Sequence, residues 1–181
     1  MTLFPPPKYQ TKRKPSAVRD IPDDAALATV TIRLPPPVPA SHVRKGKHGT
    51  WFTAEPYKSW RDAAELAVRR AWPHVAMLGP VALDVVAVSL RPEKKPAWCP
   101  SAVWKQGARI YRPVRPDLEN FGEGVADALQ VPKHLRTLLG VTGYPMHDDG
   151  QVVRMVMVDV LAAVGEEPHT MAMVTALEWF P

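Results

Sequence analysis

Of 181 residues only one is a cysteine, Cys99. A single thiol excludes an intramolecular disulfide framework and suits a reducing compartment; Cys99 reads as a structural thiol. Long apolar runs are missing too. No window reaches membrane-spanning length without a charge, and the opening "MTLFPPPKYQTKRKP" has no apolar core of signal-peptide length. An intracellular protein with no membrane partner is expected. The six histidines, His42, His48, His74, His134, His147 and His169, show no zinc-like pairing. His147, beside two aspartates, reads as a surface-loop residue. There is no glycine-rich phosphate loop: the one "GEG", residues 122–124, has the wrong spacing. Internal repeats are absent as well.

What the chain does have is proline, 21 residues of it, and a net charge of +5. The prolines predict long irregular connections. The charge is unevenly placed: residues 1–72 hold 13 Lys/Arg against 6 Asp/Glu, whereas residues 73–181 hold 10 against 12. A basic half beside an acidic half suits a protein that grips a polyanion with one surface and holds a cation with another. A plain solvated basic surface carries the same composition, so charge alone does not decide.

Residues 1–25 lack apolar periodicity and are expected to form a flexible arm; residues 26–181 are expected to form one domain. "ATVTIRL", Ala28 to Leu34, is β-branched and stops at three prolines, which predicts a strand. A basic loop or loose hairpin follows, punctuated by Gly46 and Gly49. Tyr57, Trp60, Ala64, Ala67, Val68 and Ala71 recur at helical spacing, predicting a helix over Glu55 to Trp72. Pro80 to Leu90 reads as a largely buried strand. Arg91 to Arg115 reads as irregular, with a short strand at Ala108–Tyr111. A second helix is predicted from Asp117 to Gln130 on the stripe Leu118, Phe121, Val125, Ala128 and Leu129, with Asp117 as N-cap. "QVVRMVMVDVLAA" and "HTMAMVTALEW" read as two strands, antiparallel across "VGEEP". The fold class expected is α+β: a mixed β-sheet of about four strands packed by two helices.

Two acidic clusters stand out, "RPDLENFGEGVADAL" (115–129) and "HDDGQV" (147–152). Helix geometry puts Glu119 and Glu123 on one face, where like charges cost a few tenths of a kcal/mol, with Asp117 just before them. Gly122 and Gly124 each cost about another 1 kcal/mol relative to alanine. A helix selected for stability alone would not look like this. Either cluster taken singly reads as an acidic helix start or a turn. Together they bring hard oxygen ligands to one sheet, which suits Mg²⁺ or Mn²⁺.

Those same residues resemble the signature of RusA-type Holliday-junction resolvases: a D-x-D-N helix, then D-D-x-Q-[VI] entering the next strand, with Asn120, the Asp127-Ala128-Leu129 run and Gln151 in place. The resemblance spans roughly residues 28–178. It implies a homodimeric, Mg²⁺-dependent endonuclease, phage- or prophage-encoded in most cases, that cuts four-way DNA junctions symmetrically in recombination and repair. The setting would be the cytoplasm of a bacterial or phage-infected cell. By position, the resemblance implies that Asp117, Glu119 and Asp149 are the catalytic, metal-holding carboxylates, with Asp148 adjacent. Arg44, Lys45 and Lys47, with Trp51 and Phe52 nearby, would grip DNA, and Arg112 and Arg115 would contact phosphate at the site entrance.

Three departures from the pattern matter. The second aspartate is Glu119, one methylene longer. The family lysine one turn further on is Glu123. The segment between Leu129 and Asp148 is longer, and it carries Lys133, His134 and Arg136, of which one is expected to supply the missing positive charge. Two rivals follow from Glu123 and from the arm: a DNA-binding relative without turnover, and a phage structural or partner-binding protein on the same scaffold.

Overall fold

The computed structural model describes residues 29–38, 43–45, 51–53, 55–112, 118–138 and 140–178, the side chains of 43–45, 51–53, 55 and 118–120 excepted. The proline-rich arm, residues 1–25, lies outside them. Strands β1 (Thr29–Leu34), β4 (Val81–Ser89), β5 (Ile110–Tyr111), β6 (Val152–Leu161) and β7 (His169–Ala176) form one mixed sheet in the order β1-β7-β4-β6-β5. β2 (Val43–Lys45) and β3 (Trp51–Thr53) pair separately as an antiparallel hairpin. The helices are α1 (Glu55–Ala71), a short α2 (Ser101–Lys105) and α3 (Leu118–Leu129). The α+β expectation holds, with five strands in the main sheet.

β4 takes the central place because, apart from Asp84, which pairs with Arg154 of β6, the run Val81 to Val88 is apolar on both faces and needs cover on both. Val81, Leu83, Val85 and Ala87 point into the main core. There they meet Ile32 and Leu34 of β1, Ala172 and Val174 of β7, and the stripes of α1 (Tyr57, Trp60, Ala64, Val68) and α3 (Phe121, Val125, Ala128, Leu129). Val88 on the opposite face joins a smaller cluster with Val160 and Ala162.

The expected β6–β7 hairpin is not formed. The two strands do run in opposite directions, but β4 lies between them, parallel to β6 and antiparallel to β7. The turn at 162–168 is too long for a tight hairpin and bridges about two strand spacings of 4.8 Å. A parallel β4–β6 pair needs a crossover, and α3 lies in it. That topology sets the end of α3 beside the start of β6. The segment expected to be irregular also contains α2. Arg91 organises that segment, donating to the carbonyls of Trp104, Ala108 and Ala162 and lying 3.9 Å over the Trp104 ring.

Both α3 glycines have a packing reason. A β-carbon on Gly122 would fall against Met157 Sδ and 2.8 Å from Met155 Sδ; one on Gly124 would lie 2.8 Å from the Tyr57 hydroxyl and 3.1 Å from its ring. The helix approaches β6 and α1 at distances where a β-carbon would enter only if its neighbours moved. Its weak intrinsic propensity is the cost of that close approach.

Candidate active site

Three carboxylates recur along α3 at four-residue spacing, Glu119, Glu123 and Asp127, and so share one face of the helix. The topology lays the C-terminal end of that face against the 3₁₀ turn Asp149–Gln151 that opens β6. An open groove of about 470 Å³ results, lined by Glu123, Ala126, Asp127, Asp149, Gly150, Val152 and Met155. Glu123 and Asp149 are exposed in it and Asp127 is half-buried. Glu119 sits one helical turn before Glu123, about 6 Å along the axis; its side chain, and Asp117 entirely, lie outside the described residues. Among the described residues no three acidic, imidazole or thiol groups cluster closely enough to hold a metal ion.

The two neighbouring aspartates have separate duties. Asp148 caps the 3₁₀ turn: its Oδ1 accepts from Gly150 N–H at 2.8 Å, and its Oδ2 is ion-paired with Arg136. The Gly150 amide first, then the Asp149 side chain, Arg136 and His147, hold the Asp148 carboxyl below its ordinary range. Asp149 has no such cation partner among the described residues and faces the groove. Gln151 holds the loop from beneath. Its Oε1 accepts from the backbone N–H groups of His147 and Asp148, at 2.7 and 2.9 Å, while its Nε2 donates to the carbonyls of Met77 and Gly79. His147 is half-buried, with ring Nε2 3.2 Å from the Arg136 carbonyl oxygen.

A second groove of about 460 Å³ adjoins the first and shares Asp127 with it. Arg61, Arg69, Lys133, His134 and Arg136 line it, together with Glu65, Gln130, Val131 and Pro132. Lys133 and His134 are exposed, whereas Arg61 pairs with Glu65 and Arg69 donates to the Tyr144 hydroxyl.

The other expected DNA contacts divide into three groups. Arg44 and Lys45 stand on β2 opposite Phe52 and Trp51 of β3, their side chains undescribed; Lys47 and Arg115 lie outside the described residues. Arg112 is half-buried and its guanidinium is already engaged. It is ion-paired with Asp159, whose side chain is 2 % exposed and also accepts from Ser89 Oγ at 3.1 Å. Arg136, through Asp148, is likewise committed inside the fold, and of Lys133, His134 and Arg136 the first two remain open. Sequence reasoning passed over two residues. Asp127 entered it only as part of a motif, although its spacing from Glu123 was readable. Gln130 carried no signal, because its importance comes from residues distant in the chain.

An α+β domain in which a carboxylate groove runs into a cationic one is suited to a phosphodiester polyanion. Residues 35–175 match the family described as Endodeoxyribonuclease RusA, most of the chain, and the protein belongs to that family. This sets it among endonucleases of the Holliday-junction-resolvase type. No curated protein matches the chain.

Proposed function

We propose that the protein is a divalent-metal-dependent endonuclease that hydrolyses phosphodiesters in branched DNA, four-way junctions above all, as a homodimer serving recombination and repair in a bacterial or phage-infected cell. The observation that supports this reading is the single groove where Asp149 from the β6 turn meets the carboxylate face of α3. The donor set is oxygen-only and open to solvent, which fits a hard cation such as Mg²⁺ or Mn²⁺. Asp117, Glu119 and Asp149 would hold it. When bound, such an ion would supply Lewis-acid charge at the phosphate and make a bound water more acidic than bulk water. The chain's own part is to bring Asp149, at the turn that opens β6, beside the carboxylate face of α3, and to keep Asp148 occupied elsewhere. Lys133 and His134 draw the flanking backbone along the second groove, joined by Arg44, Lys45, Lys47 and Arg115.

Glu123 favours one alternative. An exposed carboxylate at the groove, where the family pattern has lysine, repels phosphate, and a relative that binds junctions without cutting them would carry such a residue. A synthetic four-way junction decides between them. Paired symmetric nicks that require Mg²⁺ or Mn²⁺ and vanish in Asp117→Asn and Asp149→Asn are expected. Tight junction binding without nicks in either metal overturns the enzymatic reading in favour of the binding one.

A further inference from the structure

Asp149 stands at the first position of a three-residue 3₁₀ turn, where a backbone N–H has no partner within the turn. Its N–H donates instead to Gln130 Oε1 at 2.9 Å, across 19 residues of sequence. Gln130 is 5 % exposed, and its amide is used at both ends. Oε1 also accepts from the Arg136 guanidinium, and Nε2 donates to Asp127 Oδ1 at 2.7 Å. The backbone strengthens the same junction: Val131 N–H donates to the Met146 carbonyl at 2.9 Å and Met146 N–H to the Leu129 carbonyl at 3.2 Å. Arg136, held by Gln130 Oε1, reaches Asp148 with another guanidinium nitrogen. One buried amide thus touches the α3 carboxylate face, the backbone of Asp149 and the cation that occupies Asp148.

We propose that Gln130 is a positioning residue for the metal-holding groove: it locks the Asp149 backbone, and with Arg136 it leaves Asp149 as the carboxylate of the pair that has no cation partner among the described residues. The proposal rests on the reading of Asp149 as a metal ligand. A side chain that only filled the core could be apolar. This one bridges two acidic elements that meet nowhere else in sequence, and outer partners of metal-binding carboxylates fix the direction from which the oxygens approach the ion.

The test compares the parent with Gln130→Met, which keeps the length of the side chain without its polar groups, Gln130→Glu, which keeps the acceptor, and Asp149→Asn. Mn²⁺ binding is measured by calorimetry, and amide exchange by NMR on metal-free protein. Gln130→Met is expected to weaken Mn²⁺ binding about tenfold and to speed exchange at the Asp149 amide, whereas Gln130→Glu, which keeps the acceptor, is expected to retain protection at that amide. Parent-like Mn²⁺ affinity in Gln130→Met, alongside loss in Asp149→Asn, overturns the positioning role alone. Parent-like affinity in Asp149→Asn overturns the metal reading and the proposal with it. Should Gln130→Met not fold, exchange in the parent decides: a protected Asp149 amide supports the lock, and exchange at the intrinsic rate refutes it.

Discussion

Gly122 and Gly124 look like two defects in a helix until their neighbours are seen. The neighbours differ in stiffness, and that difference makes a prediction. Gly122 faces the thioethers of Met155 and Met157, which can change rotamer; Gly124 faces the rigid ring of Tyr57, itself stacked on Trp60 at 5.9 Å between centroids. Replacing either by alanine gains about 1 kcal/mol of helix propensity. Overpacking costs about 1–3 kcal/mol where nothing can move. Gly122→Ala is therefore expected to be near neutral. Gly124→Ala should destabilise by up to about 2 kcal/mol in urea denaturation. Equal effects at the two positions would show that ring stiffness is not what sets the cost.

At the scale of elements, the turn between β6 and β7 matters because it spans the width of β4. Glu166 secures it, accepting from both Nε and another guanidinium nitrogen of Arg109 and from Ala163 N–H at 2.9 Å. The Arg109 hydrogen bond first, then the Ala163 amide, lower the Glu166 pKa from 4.5 to about 2. A folded value below the unfolded one means that the stabilisation is present in full above about pH 4.5 and is lost as pH falls toward 2. The pair is partly solvated, so the effect is modest. The urea midpoint of the parent should fall more between pH 6 and pH 3 than that of Glu166→Gln, and parallel profiles would remove Glu166 from the account. Asp148 shifts in the same direction, so its cap on the 3₁₀ turn weakens over the acid range as well.

For the whole molecule, the decisive feature is the side-by-side arrangement of an anionic and a cationic groove in a chain of net charge +5. Binding of a polyanion along the cationic groove releases counterions, so junction affinity should fall steeply with salt. Lys133→Ala is expected to weaken binding to all DNA sequences alike and to reduce the slope of log affinity against log salt by about 1. An unchanged slope would place the DNA away from this groove. Arg112→Ala offers a contrast: its guanidinium is held by Asp159, so the loss should appear in thermal stability before it appears in the salt slope.

Much of the architecture was legible because it depends on local periodicity. The Tyr57–Trp60–Ala64–Val68 stripe marked α1, the Phe121–Val125–Ala128–Leu129 stripe marked α3, and the 81–88 run, apolar but for Asp84, marked a largely buried strand. Helical spacing likewise placed Glu119 and Glu123 on one face. The sequence by itself thus determined which segments fold and which carboxylates travel together, since a period of 3.6 or 2 acts on near neighbours. It did not determine strand order. Nothing within "VGEEP" says that β4 will enter between β6 and β7, because that choice depends on which strand most needs burial on both faces. Nor could spacing separate the adjacent pair Asp148 and Asp149, or predict that Gln130 would reach a loop 19 residues away. Hydrogen bonds that span such distances exist only once the β4–α3–β6 crossover has closed, so tertiary structure alone decided which aspartate is occupied and which faces the groove.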